Sequence, residues 1–292
     1  MPPFVDDAPL HEANFHRWAK DGDVVIASSM KSGTMLLHQI VRLLRRGGRD
    51  DDERLQNAAG TIELLKYPGH SLETRLAEQN AIRERSGLAN QQWFTHQTPD
   101  NSTANMYGLD PAKHPSIKYV SIHRNGKEVV RSAMHFFNAH SSQFRAMWGG
   151  FPPPVPSPED ALDLFTNGVP ALYFEHVAKW WAVRNAPNVL MLHFTDVIAD
   201  KPGTVKRLAE FLGIELSEDL LAAVVEKSSH AYMQKRAHKF VVHFGRPGEE
   251  FQMVGEDVHI RKSGGIHSHE LPPGAKQAPP PQKKTRTRRG RQ

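Results

Sequence analysis

The sequence predicts an α/β fold with a mainly parallel central sheet flanked by helices. Three stretches predict it: in each, a short apolar run bounded by turn residues gives way to a loop and then to apolar residues at helical spacing. Strands and helices alternating at these lengths layer helices over a parallel sheet, with right-handed crossovers.

The first stretch is DGDVVIASSMKSGTMLLHQIVRLLRRGG, in which Val24 to Ala27 reads as a buried strand. From Gly33 onward Leu36, Leu37, Ile40, Val41 and Leu44 recur at helical spacing, Arg45 and Arg46 fill the last turn, and Gly47 ends it. The second, IKYVSIHRNGKEVVRSAMHFFN, reads as a strand from Tyr119 to Ile122 and a helix from Lys127 to Phe137. The third, NVLMLHFTDVIADKPGTVKRLAEFLGIELSED, reads as a strand near Val189 to Phe194 and a helix closed by Gly213. Ser217 then makes a good N-cap for a helix through Leu220, Leu221 and Val224. Between these units RDDDER, residues 49–54, is expected to be a solvated loop. The prolines of GGFPPPVPSPED, residues 149–160, exclude regular structure and suggest a mobile lid or a pocket wall. No internal repeat is detectable.

A chain of 292 residues, 39% hydrophobic and 24% charged, has the composition of a globular protein with a sizeable core. No stretch approaches the ~18 apolar residues of a membrane span. The opening MPPFVDDAPLHEANF lacks the basic and apolar regions of a signal peptide, and the absence of cysteine excludes disulfide and thiolate chemistry. A cytoplasmic protein is expected. The formal net charge of +5 is a property of the tail: GAKQAPPPQKKTRTRRGRQ holds seven of the 37 Lys and Arg and no acid, leaving 30 basic against 32 acidic residues elsewhere. That composition does not bury enough apolar surface to order itself. It reads as a solvated tail, with weak, salt-dependent contact to nucleic acid or another anionic surface as the alternative. The expected organisation is an N-terminal segment 1–17, a domain 18–270 and a disordered basic tail 271–292.

The chemistry-bearing residues lie where strands end. In SSMKSGT, residues 28–34, Lys31 precedes Gly33, whereas the common nucleotide loop G-x-x-x-x-G-K-[ST] puts lysine after the last glycine. A degraded loop, a different anion cradle and an ordinary turn all fit that spacing. As a cradle, the amides of Ser32, Gly33 and Thr34 would meet an anion at a helix N-terminus, with Lys31 adding a charge and the two hydroxyls further donors. Arg124 ends the second strand and Ser132 follows two helical turns later, a pair suited to a phosphate; alone, Arg124 equally suits a surface ion pair. Two anion sites at the carboxyl ends of parallel strands suggest a nucleotide with two separated phosphate groups.

These residues resemble the cytosolic-type sulfotransferases, which use 3′-phosphoadenosine 5′-phosphosulfate (PAPS), and the resemblance runs over most of residues 18–265. It implies a P-loop-like three-layer fold and PAPS as sulfuryl donor, without a metal. K-S-G-T is similar to the family's 5′-phosphosulfate loop, assigning Lys31, Ser32, Gly33, Thr34, Met35 and Leu36 to the nucleotide. R-N-G-K-E-V-V-R-S is similar to its 3′-phosphate motif, assigning Arg124 and Ser132. Thr95-His96, closing QQWFTH, is similar to the strand end that carries the catalytic base, and Trp180-Trp181 matches the later half. I-R-K-S-G-G implicates Arg261, Lys262 and Ser263.

A hydroxyl acceptor is a weak nucleophile at neutral pH, which gives His96 its role as base and Lys31 a role in stabilising charge on the leaving group. The chain departs from the family at several of these positions. Leu36 replaces a tryptophan that stacks on adenine, Phe94 a lysine, Phe194 a nucleotide-facing tyrosine, Ser228 a threonine and Ser263 a glycine; His230 replaces an adenine-facing phenylalanine. The usual dimer-forming motif is missing, leaving monomer or dimer open. Trp93, Phe136, Phe137, Phe144, Trp148 and Phe151 are candidates for an apolar pocket, favouring a lipid, steroid, phenolic or glycolipid hydroxyl, and are equally candidates for the core. His267, His269 and Glu270, with His259 nearby, have metal-ligand composition in no known spacing. Two other readings are an ATP-dependent phosphotransferase, which lacks its G-K-[ST] and clear Mg²⁺ carboxylates, and a catalytically weak PAP-binding or nucleic-acid-associated protein.

Overall fold

Val24–Ser28 (β1) is buried at every position, and a strand with no solvent face belongs in the middle of a sheet. The computed structural model, which describes residues 12–55, 60–61, 71–99, 109–168, 173–244 and 250–260, puts it there. Gly60–Thr61 (β2), Gln92–Thr95 (β3), Lys118–His123 (β4) and Val189–His193 (β5) complete a five-stranded sheet of order β2-β3-β1-β4-β5. Each adjacent pair is parallel. Ala27 pairs with Thr95 and Ser28 with Ile122, so β1, β3 and β4 end at one level. His243–Phe244 (β6) and Phe251–Gln252 (β7) form a separate antiparallel pair.

The helices are α1 (Glu12–Trp18), α2 (Thr34–Arg45), α3 (Leu72–Ser86), α4 (Gly126–Asn138), α5 (Ser142–Met147) and α6 (Pro158–Asp163). There follow α7 (Phe174–Ala182), α8 (Phe194–Ala199), α9 (Lys201–Leu212), α10 (Glu218–Lys227), α11 (His230–Gln234) and α12 (Glu256–His259). Alternation along the strands decides the layers. Val24, Ile26, Val120 and Ile122 face a core with α2, α9 and α10; Val25, Ala27, Trp93 and Tyr119 face Phe15 and Trp18 of α1, Leu76 of α3 and Trp180 of α7. The α/β class and the parallel sheet are as the sequence predicts.

Several local expectations are corrected. The third strand stops at His193, and Phe194 opens α8, a helix not predicted from the sequence. The chain re-caps at Asp200, whose carboxylate accepts from the Gly203 amide at 2.8 Å, before α9 runs to Gly213. The proline-rich segment contains a helix after all, because Pro158 stands at a first-turn position behind the Ser157 cap. Upstream, Asn138 holds Val155 by two hydrogen bonds, at 2.9 and 2.7 Å, so that part is a wall stitched to α4. RDDDER is the expected loop, with Arg49, Asp51 and Asp52 exposed, but its Asp50 is not solvated: that side chain is 1% exposed and pairs with Arg42 and Lys239. Residues 261–292, with Arg261, Lys262, Ser263, the His267, His269, Glu270 cluster and the basic tail, lie outside the described residues.

Candidate active site

The loop between β1 and α2 departs twice from ordinary backbone: Lys31 has φ +61° and Gly33 φ +102°. Hydroxyl pairs fix it, Ser29 with Ser32 at 2.5 Å and Ser28 with Thr34 at 2.7 Å. The Ser32 amide, expected to face an anion, instead closes the turn onto the Ser29 carbonyl at 3.3 Å. Gly33 is the N-cap of α2 and brings no side-chain oxygen to its first turn. The amides there are therefore not capped from within, the condition for anion binding at a helix N-terminus. Met35 and Leu36 turn from the loop into an apolar cluster with Leu55, Met233, Phe240 and Ile260.

His96 follows β3, the neighbour of β1. Its Nδ1–H donates to the Ser28 carbonyl at 2.7 Å, which leaves the lone pair on Nε2. Burial pushes its pKa down to about 4; the Ser28 carbonyl opposes this and the Lys31 charge adds to it. The ring is therefore neutral at pH 7. The Phe94 ring meets it edge-to-face with centroids 4.6 Å apart. Behind them His38, held by Gln92 at 2.8 Å, is depressed to about 3 by burial first and by His96 second.

Arg124 follows β4, the other neighbour of β1. It is 5% exposed, its Nε bonds Glu128 at 2.6 Å, and its guanidinium lies 4.6 Å from the centre of the Phe194 ring. It stands at a strand end beside the loop, and the ion pair it makes is not the surface pair that the sequence offered as the alternative, since the arginine is buried. Phe194 is the link: a Cβ on Gly33 would come within 2.5 Å of its ring, so one aromatic side chain spaces the loop from Arg124. Ser132 is buried on α4, one wall further on. Tyr173 Oη donates to the Arg124 carbonyl at 2.7 Å, a contact with no signal in the sequence.

Lys31 Nζ lies 4.4 Å from the centre of the Phe136 ring, which His140 and His259 also flank. Phe136 thus belongs to the site. Trp93 does not: it is fully buried on the opposite face and donates to Asp23 at 2.6 Å; Phe144 is also fully buried. Ser228 caps the end of α10, completely buried, and His230 opens α11, exposed. Among the described residues no group of three or more His, Asp or Glu side chains is placed to hold a metal ion.

The family described as Sulfotransferase domain matches residues 21–256. The chain belongs to the sulfotransferase family. It is accordingly a PAPS-dependent sulfotransferase, an enzyme of the α/β class. It is similar to sulfotransferase 1C2 of Oryctolagus cuniculus, 24% identical over 79% of this chain and 74% of that one. To sulfotransferase 1E1 of Homo sapiens it is 27% identical over 74% of this chain and 67% of the relative. Among solved structures, retinol dehydratase bound to retinol and PAP has the same fold at 20% identity and a TM-score of 0.58, over 79% of this chain and 70% of that one. Mouse sulfotransferase SULT7A1 complexed with PAP gives 0.54, also at 20% identity, over 76% of this chain and 69% of its own.

Proposed function

We propose that this sulfotransferase moves the sulfuryl group of PAPS to the hydroxyl of a small apolar acceptor, with His96 as the base. The observation that carries the reading is convergence: the Lys31–Thr34 loop, His96 and Arg124 follow three adjacent parallel strands at one level of the sheet. The residues fit the donor, since an uncapped helix N-terminus beside a lysine suits one anionic group and Arg124 with Ser132 a second.

PAPS, when bound, supplies a sulfuryl group on a good leaving group. His96 Nε2 takes the acceptor's hydroxyl proton as the oxygen forms its bond to sulfur, and the bond from sulfur to the bridging oxygen breaks. Lys31 and the first-turn amides of α2 are suited to stabilise the negative charge left on that oxygen. In this reading Arg124 and Ser132 hold the 3′-phosphate and Ser228, His230 and Leu36 border the base; Arg261, Lys262 and Ser263, which the resemblance assigns to the nucleotide, lie outside the described residues. Phe94 and Phe136 beside His96 and Lys31 favour an apolar acceptor. Retinol dehydratase, of the same fold, binds retinol in one structure and androsterone in another, alcohols of that kind. A cytosolic location and a single domain over residues 18–270 belong to this reading. Phe94 favours a second reading, a binder of PAP with little turnover, because it brings no charge where the family has lysine.

The test is a thermal-shift titration with PAP, ADP and Mg²⁺-ATP on the wild type and on Arg124→Ala, followed by transfer assays with His96→Ala as the dead control. A ligand at 100 times its Kd adds ~2.7 kcal/mol. A PAP-selective shift lost in Arg124→Ala is expected. A shift for Mg²⁺-ATP alone would sink the reading, and tight PAP binding without turnover on any apolar alcohol would favour the second.

A further inference from the structure

The acidic run that the sequence assigns to solvent is a clasp. Asp50 accepts from Arg42 Nη1 at 3.2 Å, Lys239 Nζ at 2.6 Å and Tyr232 Oη at 3.0 Å. Asp51 takes Arg42 again and Arg46 at 2.7 Å, and its carbonyl accepts from Lys239; Asp52 faces His238 at 3.2 Å. Arg42 belongs to α2 and Arg46 caps its end, while Tyr232 belongs to α11 and His238 and Lys239 to the 3₁₀ turn Ala237–Phe240. Three consecutive aspartates therefore bind the last turn of the loop-bearing helix on one side and the 232–239 segment on the other.

Asp50, Arg42 and Lys239 have side chains 1%, 4% and 1% exposed. Removing such charges from water costs about as much as their attraction returns, so a buried cluster is a poor way to add stability and a good way to select one geometry. The geometry selected here is that of the apolar wall beside the anion loop. Met35 and Leu36, next to Thr34 on α2, pack against Met233, Phe240 and Ile260. Met233 follows Tyr232, Phe240 follows Lys239, and Ile260 immediately precedes Arg261. Residues tied to Asp50 thus alternate in sequence with residues of the wall.

We infer that Asp50, with Tyr232 and Lys239, is a positioning clasp for the nucleotide: without touching it, the clasp sets its affinity by holding the 228–240 segment against α2. This rests on the nucleotide reading above.

The test compares Asp50→Asn and the gentler Tyr232→Phe with Asp23→Asn, which weakens the Asp23–Arg83 pair, also buried, at 2.5 Å, and bonded to Trp93 and the Trp18 carbonyl. PAP Kd is measured by calorimetric titration of the folded proteins, with KM for PAPS and kcat alongside. Asp50→Asn is expected to raise Kd and KM ~10-fold and Tyr232→Phe ~3-fold, with kcat at saturation within ~2-fold of wild type. Asp23→Asn is expected to lower the Tm yet leave Kd within ~2-fold. If Asp50→Asn does not fold, Tyr232→Phe decides. Kd values no higher in the clasp variants than in Asp23→Asn would overturn the inference. A wild type that does not bind PAP would overturn the nucleotide reading itself, and the clasp's role with it.

Discussion

Gly33 is the most constrained residue of the site. Its φ of +102° is one that a side chain rarely adopts, and an added Cβ would stand 2.5 Å from Cδ2 of Phe194. Gly33→Ala is therefore expected to cost ~1–3 kcal/mol of stability and to remove PAP binding, because the loop and the Phe194 spacer cannot both keep their places. Chemical denaturation and a PAP titration check it; wild-type affinity in the variant would contradict it. The glycine was legible in K-S-G-T and the histidine in T-H at a strand end. The partner of each was not. Phe194 lies 161 positions from Gly33, and the Ser28 carbonyl that sets the His96 tautomer is a backbone group with no residue signature.

Elements deliver these side chains by the way they begin and end. Asn125 caps α4, its side chain accepting from the Lys127 amide at 3.0 Å, and so fixes the turn in which Arg124 leaves β4. Asn125→Ala is expected to lose ~1 kcal/mol, the usual cost of an N-cap, and to weaken PAP binding as the Arg124 turn loosens. Denaturant midpoints and the same titration separate the two effects; unchanged affinity would mean that contacts such as those with Phe194, Glu128 and Tyr173 hold Arg124 without the cap. Strands β1, β4 and β5 and helices α2, α4, α9 and α10 were legible because their apolar periods are local; α3, the longest helix at 15 residues, was not, because its sequence LETRLAEQNAIRERS carries few apolar residues. The junction of β5 with α8 was not, because the 2.0 and 3.6 periods blur in an apolar stretch that continues through Phe194. Asp50 of RDDDER misled for a plainer reason, since a charge in a charged run looks solvated until basic partners are folded around it.

At the scale of the molecule, burial leaves several histidines neutral. His96, His123 and His140 are depressed to about 4 and His38 to about 3, each chiefly by burial, against an ordinary value of 6.5. The unfolded chain binds these protons more readily, so their stabilising contribution is complete above pH 6.5 and falls as the pH drops from there towards 4. One such group loses on the order of 2 kcal/mol by pH 5. Denaturant midpoints should therefore fall steeply between pH 6.5 and 5; a flat profile there would show that these rings are not neutral and buried in solution.

What depends on neighbours in the chain was decided by the sequence: the α/β class, the three units in which a strand leads into a helix, the K-S-G-T loop at a helix start and the family resemblance. What depends on neighbours in space was decided by the fold. The strand order brought His96 and Arg124 to either side of the Lys31 loop. The layers sent Trp93 into the core and left Phe136 beside Lys31, and Asp50 was buried between two cations. The physical reason is that period and propensity act over a few residues, whereas burial, charge pairing and the meeting of loops exist only once distant segments pack.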